Sequence, residues 1–222
     1  MYHNWSNLGA SYALNKDLEN AERCLQEGAK RAGLEKDEWH AAVWRNLASF
    51  ELFLGKSEAA EHIKNALDLY RHDALASVIQ ARVGLELNGH IDVRKALDDA
   101  KYADRLALSR DPKAKRILAL AHLRNNEFDD AVNEARAALA VNDMPTVNHL
   151  ITAVAEAKRG QITAANEALE AAETAWPEQL RKPGEFAAYA DTGELWIESA
   201  DDLIKLREEA RTAIGPSSAS KP

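Results

Sequence analysis

The sequence has little of what β-rich, disulfide-bonded or membrane proteins require. Its 222 residues include one cysteine, six prolines, ten glycines and only 6% aromatic residues. One cysteine excludes an internal disulfide, and no run of apolar residues is long enough to cross a bilayer. The scarcity of aromatic residues and β-branched runs disfavours a sandwich or barrel. Alanine and other strong helix formers dominate instead, so the composition predicts an all-α protein.

The chain also lacks an excess of positive charge. Its 36 acidic and 28 basic residues give a net charge of −8, whereas a general nucleic-acid binder needs a basic surface. We therefore expect no nucleic-acid partner. The amino terminus shows no apolar signal segment, and the lack of disulfides suits a reducing compartment. These features predict a cytoplasmic protein in which Cys24 is a small buried residue of a helix.

Small residues recur along the chain at a nearly constant spacing. They are Ala21, Ala59, Ala96, Ala131 and Ala165, separated by 38, 37, 35 and 34 residues. About twelve residues before them lie Leu8-Gly9, Leu47-Ala48, Val83-Gly84, Leu118-Ala119 and Thr152-Ala153, provided that the second unit has a shorter loop. Two helices approach closely only where both carry small side chains at the crossing. The spacing therefore predicts five helix–turn–helix units.

The first unit carries the most specific motif. It consists of Trp5-x-x-Leu8-Gly9-x-x-Tyr12, followed by Ala21. This motif, with a period near 34 residues, resembles the tetratricopeptide repeat (TPR) over about residues 3–177. The resemblance implies an all-α, right-handed α-solenoid of about five helical hairpins. Units two and three depart from the family in loop length and in the tryptophan–glycine–tyrosine set. A generic alanine-rich helical bundle is the alternative.

The turn and capping residues divide the chain further. Ten helices are predicted, at about 3–14, 17–31, 37–54, 57–70, 73–88, 92–108, 111–124, 128–141, 145–158 and 162–175. Their turns contain Gly55, Asn88-Gly89, Asn125-Asn126 and Gly160, and Pro112 and Pro145 open helices. Residues 178–192 form a predicted connector, residues 193–214 a C-terminal helix that caps the last repeat, and residues 215–222 a flexible tail. Ser199 suits the N-cap of that helix, with Asp201 and Asp202 in its first turn.

The resemblance also implies a concave groove, lined by the first helix of each pair, that binds a protein or peptide. The groove positions of the family correspond here to Arg45, Ser49, Leu52, Phe53, Arg82, Leu85, Lys113, Arg116, Leu120, Leu123 and Arg124. Five of these are basic and none is acidic, so we expect an acidic peptide or a C-terminal carboxylate as the ligand. The alternative is that these are ordinary solvated charges, some paired with acids on neighbouring helices. Ser6 and Ala10 stand where relatives that bind chaperone tails carry lysine and asparagine, so that ligand is not expected.

Four further hypotheses concern the two ends of the chain. The first repeat begins near residue 2 and leaves Trp5 and Tyr12 uncovered. Either the chain is a fragment of a longer modular protein, or this face forms a homo-oligomer as part of a structural scaffold. A peptide-sensing regulator would need a DNA-binding helix-turn-helix before the first repeat. Finally, the acidic segment between Asp191 and Asp202, with Trp196 at its centre, is hypothesised to occupy the groove of its own chain and to compete there with a ligand.

Catalytic and metal-binding motifs are not evident. The seven histidines are spread over the units, and none forms a His-Glu-x-x-His pair. The glycine-rich nucleotide loops and the Gly-x-Ser-x-Gly elbow do not occur either. We therefore expect no enzymatic activity, no metal and no cofactor. His122 and His149 fall at packing positions of first helices and are predicted to be partly buried structural residues.

Overall fold

A computed structural model of the chain describes residues 2–33, 38–86, 92–141, 144–191 and 194–215. Within these ranges there are eleven α-helices, one 3-10 turn and one two-stranded sheet. The helices are α1 (Tyr2–Leu14), α2 (Leu18–Ala32), α3 (Glu38–Phe53), α4 (Ala59–Leu69), α5 (Ala74–Glu86), α6 (Val93–Leu106), α7 (Pro112–Arg124), α8 (Phe128–Leu139), α9 (Pro145–Lys158), α10 (Ile162–Thr174) and α11 (Ala200–Ile214). The 3-10 turn covers Glu178–Leu180, and the strands are β1 (Phe186–Asp191) and β2 (Glu194–Ser199). None of the helices described has the length and apolar character needed to cross a membrane.

Consecutive helices pair as the repeat predicts. Helix α1 packs on α2, α3 on α4, α5 on α6, α7 on α8 and α9 on α10. The five recurring alanines are all at most 1% exposed. The close approach is visible at Gly84, where an added Cβ would lie 3.0 Å from the Cβ of Ala96. The predicted fold class, an all-α repeat of helical hairpins, is confirmed.

Several of the predicted turns and caps are present. Gly55, Asn126 and Gly160 have the positive φ angles that such turns require, at 68°, 62° and 77°. Pro112 and Pro145 lie in the first turns of α7 and α9. Glycine and asparagine tolerate this left-handed backbone better than other residues, which explains why these positions could be recognised. The predicted turn at Asn88-Gly89 and residues 216–222 of the tail lie outside the described residues.

The chain divides into two compact units, and the first contains residues from both halves of the sequence. Unit 1 consists of residues 1–106 together with residues 186–198. In this unit α3 contacts both α1 and α5. The core includes the fully buried Phe50 and also takes in Phe186, Leu195 and Ile197 from the C-terminal part of the chain. The two strands are therefore an integral part of the core of unit 1.

Unit 2 consists of residues 107–185 and 199–222. It contains two helical hairpins, α7–α8 and α9–α10, and α11 packs against α9 and α10. The fifth repeat closes at Trp176, which is 6% exposed and donates a hydrogen bond from Nε1 to the carbonyl of Leu180 at 2.8 Å. Helix α11 therefore covers the last repeat of this unit.

The C-terminal part needs a correction. The sequence predicts a helix from residue 193, but residues 194–199 form β2, and the predicted connector contains β1. The run Leu195-Trp196-Ile197 combines aromatic and β-branched side chains, which suit a strand. Helix α11 begins only at Ala200, where the hydroxyl of Ser199 accepts a hydrogen bond from the amide of Asp201 at 3.1 Å. The predicted cap is thus present, but the helix starts at the cap and not before it.

Cys24 lies on the inner side of α2 and is 2% exposed. Burial raises the pKa of its thiol above the usual value, although the nearby Arg23 partly offsets this. Because the thiolate is the reactive form of cysteine, Cys24 is suited to packing and not to nucleophilic chemistry.

Candidate peptide-binding groove

The first helices of unit 1 carry a segment of the chain itself. Strands β1 and β2, together called the hairpin, lie against α1, α3 and α5, and this helical surface is called the groove. Leu195 and Ile197 of β2 belong to the same buried cluster as Val43, Leu47 and Phe50 of α3. Phe53, a predicted groove residue, packs against Phe186 of β1 with ring centroids 4.8 Å apart. The hypothesis that the C-terminal segment occupies the groove therefore agrees with the structure of unit 1.

Two polar side chains of the groove bind the main chain of β2. The side-chain oxygen of Asn46 accepts a hydrogen bond from the amide of Leu195 at 3.1 Å. The guanidinium of Arg82 donates to the carbonyl of Ile197 at 2.9 Å. Asn46 also donates to the hydroxyl of Ser6 at 3.0 Å, which connects α3 to α1. These two bonds hold the extended main chain of β2 and do not involve its side chains.

Arg82 makes further contacts that order its side chain. It is 4% exposed, and its guanidinium lies 5.0 Å from the centroid of the Trp196 ring. Its Nε donates to Glu86, one turn along α5, at 2.6 Å. Cation–π contacts are strongest when both partners are removed from water. Arg82 therefore links the side chain and the main chain of β2 to α5.

The other predicted groove residues of unit 1 are buried. Ser49, Leu52 and Leu85 are at most 6% exposed. Arg45 pairs with Asp73, which precedes α5, at an N–O distance of 2.5 Å. Both predicted anion-binding arginines of unit 1 therefore already have an acidic partner, Asp73 for Arg45 and Glu86 for Arg82.

In unit 2 the predicted groove residues lie on α7. Lys113 and Leu120 are half-buried, whereas Arg116 and Leu123 are buried. Arg124 donates to both carboxylate oxygens of Glu209 on α11, at 2.8 and 2.7 Å. Both hydrogen bonds come from one guanidinium nitrogen, Nη1, so they are charge-assisted but do not use the two-nitrogen fork of arginine. An internal acid therefore occupies the position at which an acidic ligand was predicted.

No family model and no curated protein matches the chain, but solved structures do at low sequence identity. A thermophilic TPR protein of Thermus thermophilus has a TM-score of 0.67 at 18% identity, covering 95% of this chain and 98% of that one. PilW, a widely conserved type IV pilus biogenesis factor, has 0.65 at 15% identity, covering 78% and 77%. A tetratricopeptide repeat protein from Parabacteroides merdae has 0.61 at 17% identity, covering 96% and 73%. The chain has the TPR fold.

The position of the TPR consensus tyrosine, Tyr12 in the first repeat, carries buried ionisable residues in three later repeats. Each forms an ion pair or hydrogen bond inside its own helical hairpin. The pairs are Glu51 with His62 at 2.5 Å, His122 with Glu127 at 2.6 Å and Glu156 with Arg159 at 2.6 Å. A tyrosine fills this space by packing, whereas these side chains need a polar partner when buried. In the second and fourth repeats the pair connects the first helix to the second helix or to its N-cap, whereas Glu156 and Arg159 pair at the end of α9.

Glu51 makes the stability of the helix pair α3–α4 depend on pH. Burial raises the pKa of Glu51 above its usual value, and the hydrogen bond from His62 only partly offsets this. Such a group adds stability below its unfolded pKa and loses that contribution as the pH rises through its folded pKa. We expect Glu51→Gln, which keeps an acceptor for His62, to match the wild type near pH 4 and to melt at a higher temperature near pH 7. Thermal unfolding followed by circular dichroism measures this.

Glu27→Gln is the control for that experiment. Glu27 lies on the surface of α2, and a hydrogen bond from Arg31 lowers its pKa. Ionisation of Glu27 therefore changes the stability in the opposite direction to ionisation of Glu51. Its replacement is expected to give no gain near pH 7. A Glu51→Gln variant that melts below the wild type at both pH values would contradict the prediction.

The histidines of the TPR first helices occupy the structural positions predicted for them. His122 is 6% exposed; His149 is half-buried, and burial lowers its pKa. Among the described residues, one group of three side chains could hold a metal ion, namely His122, Glu127 and Asp130, whose ligand atoms lie within 4.8 Å of one another. Two of these side chains, His122 and Glu127, already share a hydrogen bond of 2.6 Å. Sequence analysis did not single out this group because its members do not follow a metal-binding motif.

Sequence analysis also missed three residues that organise the candidate site. Asn46 was not among the predicted groove positions, although an amide between Arg45 and Leu47 in the middle of a largely apolar first helix was a usable signal. Asp73 and Glu209 left no such signal. Their arginine partners are 28 and 85 residues away along the chain, and pairing over such distances depends on tertiary structure.

The predicted oligomer face at the start of the first repeat is partly covered by other residues of unit 1. Trp5 is half-buried, and the guanidinium of Arg31 lies 5.1 Å from its ring centroid. Tyr12 packs against the core of unit 1. Leu8, between them on α1, is 43% exposed. Oligomerisation through this face stays a prediction.

Proposed function

We propose that this chain is a non-catalytic protein-interaction scaffold that binds an extended peptide segment in the groove of unit 1. The observation that supports this most directly is the attachment of the β2 main chain to Asn46 and Arg82. In peptide recognition of this kind, main-chain hydrogen bonds provide affinity and pockets for alternate side chains provide specificity. The TPR fold, in which first helices lie side by side, places such side chains in a row.

An acidic side chain or a C-terminal carboxylate is the second ligand feature in this proposal. Arg124 supports it, because this side chain binds the carboxylate of Glu209 through two hydrogen bonds. Arg45 and Arg82 support it less, because Asp73 and Glu86 already balance their charges. An extended main chain is therefore the primary feature recognised in unit 1, and a carboxylate is a secondary one at Arg124.

A structural scaffold that self-associates through α1 is the second candidate function. The exposed Leu8 and Leu14, at 43% and 46%, favour it because they add apolar surface beside Trp5. Light scattering over a range of concentrations separates the two candidates. Dimers that are lost in Leu8→Ser would support the scaffold, and a monomer at all concentrations would remove it. A cytoplasmic location belongs to either proposal, and the free thiol of Cys24 fits it.

Selection of displayed random peptides against the full chain tests peptide binding. Two baits are used, the wild type and Trp196→Ala, in which β2 lacks the ring that contacts Arg82. When they are added to Trp196→Ala, in which β2 is held less tightly, Asn46→Ala and Arg82→Met are each expected to weaken binding of the enriched peptides at least about tenfold, which corresponds to one lost hydrogen bond with a charged or buried group. Lys64→Met, on the outer face of α4 where the lysine is 71% exposed, is the control and should change nothing.

Two results would contradict the proposed function. One is the absence of enriched peptides with both baits. The other is a set of enriched peptides that bind Trp196→Ala equally well whether Asn46→Ala, Arg82→Met or the control substitution is added to it. Circular dichroism of each variant must show the helical content of the wild type, so that a loss of binding is not a loss of folding.

A further inference from the structure

The strand that lies in the groove shows what kind of ligand the groove accepts. Leu195 and Ile197 are fully buried, and Trp196 and Glu198 are 3% and 8% exposed. Successive side chains of a strand point to opposite faces, so β2 is enclosed on both of its faces. Enclosure on both faces is unusual for a strand of a two-stranded sheet, which by itself is barely stable in water. The helices, and not the partner strand alone, therefore stabilise β2.

The side chains on the two faces of β2 contact different kinds of residue, apolar on one face and charged on the other. Leu195 and Ile197 enter the apolar cluster that contains Phe50. On the other face, Trp196 lies against the guanidinium of Arg82 and donates a hydrogen bond from its indole nitrogen to the carboxylate of Glu198. The bound segment thus has the pattern apolar, tryptophan, apolar, acid. Because Asn46 and Arg82 bind its main chain, this pattern is presented in an extended conformation.

We infer that the partner of this groove is an extended protein segment with the same pattern, and that the hairpin is its intramolecular competitor. The inference rests on the proposed function and deepens it, because it names both the ligand and the regulation of the same site. The hydrogen bonds of Asn46 and Arg82 go to the main chain of β2, so a strand from another protein can form them equally well. The pocket around Phe50 and the ring contact with Arg82 then select its side chains.

Exchange of one strand for another is the mechanism that the burial favours. Without the hairpin, the apolar side chains of Val43, Leu47 and Phe50 would lose their cover, and exposing apolar surface is unfavourable. The hairpin belongs to the same chain, so its effective concentration at the groove is on the order of millimolar. The apparent affinity of an external segment is reduced by the fraction of molecules whose groove is free. Weakening the hairpin must therefore strengthen the binding of the external segment.

Fluorescence anisotropy with a peptide of residues 194–200, labelled with fluorescein and capped at both ends, tests this inference on the full chain. Trp196→Ala is expected to bind the peptide at least about tenfold more tightly than the wild type. Tyr189→Ala is the matched control, because it removes an aromatic side chain that is 42% exposed on the same hairpin, and it should bind like the wild type. Arg82→Met combined with Trp196→Ala should lose the gain. A scrambled peptide of the same composition controls for non-specific binding.

A second variant protects the test against misfolding. If Trp196→Ala does not fold, Trp196→Leu takes its place. This variant keeps an apolar side chain but lacks the indole nitrogen and the aromatic face, and it should bind the peptide more tightly than the wild type. Equal binding by the wild type and by folded hairpin variants would overturn the competition while leaving the proposed function intact. Absence of binding to every folded variant would overturn the assigned ligand pattern. The peptide selection described above then decides separately whether the groove binds other segments.

Discussion

Replacing Arg45 with methionine is expected to lower the free energy of unfolding by about 3–5 kcal/mol, the cost of leaving one partner of a buried ion pair without the other. The side chains of Arg45 and Asp73 are 9% and 8% exposed, and they lie 2.5 Å apart. Asp73 also accepts a hydrogen bond from the amide of Ala76 at 2.9 Å, at the start of α5. Arg45 therefore stabilises both a buried charge and the beginning of the next helix.

Urea unfolding followed by circular dichroism measures the effect. Lys64→Met is the matched control, because Lys64 pairs with Asp68 at the same distance of 2.5 Å but the two side chains are 71% and 64% exposed. A surface pair of this kind contributes at most about 1 kcal/mol. Adding Asp73→Asn to Arg45→Met removes the unpaired charge and keeps the cap, so it should recover part of the loss. Equal effects of Arg45→Met and Lys64→Met would show that burial does not set the strength of the pair.

Replacing Gly9 with valine is expected to destabilise unit 1 by about 3 kcal/mol, the upper part of the range for overpacking a core. An added Cβ would lie 2.7 Å from Cγ of Leu25 and 3.1 Å from the carbonyl oxygen of Ala21. Leu25 is fully buried and can move only by displacing its neighbours. Helix propensity would by itself favour valine over glycine, so the sign of the effect identifies the close approach of α1 and α2 as its cause.

Leu8→Val is the control for this substitution. It introduces the same β-branched side chain one residue away on α1, at a position that is 43% exposed, and should change the stability by less than about 0.5 kcal/mol. Both variants are compared with the wild type by urea unfolding. A Gly9→Val variant as stable as Leu8→Val would mean that the two helices can separate without cost.

The repeat was predictable because it depends on local and periodic features. Small residues at helix crossings, prolines in first turns and the cap at Ser199 all act within a few residues of their own position. Their pattern was sufficient to predict the helical pairs, and the burial of Ala21 and its counterparts agrees with it.

The state of the groove was less predictable, because it depends on residues that are distant in sequence. Arg45 and Arg82 were correctly placed on first helices, yet their charges were interpreted as available to a ligand. The acids that pair with Arg45 and Arg124 lie on other elements of the same unit. The segment around Trp196 has a helical stripe that continues into α11, and its aromatic and β-branched residues were too few to decide for a strand without the burial against α3 and α5. Periodicity within one segment cannot show a contact of that kind.

Unit 1 combines two parts of the chain that are far apart in sequence, and this has a consequence for biosynthesis. The bond between Asn46 and Leu195 joins residues that are 149 positions apart, and the ribosome makes protein from the amino terminus. At about 5–20 residues per second, roughly seven to thirty seconds pass between the synthesis of the two. During that interval the apolar surface of α1 and α3 has no hairpin to cover it. Nascent chains therefore present an unfinished core that molecular chaperones are suited to shield until translation reaches β2.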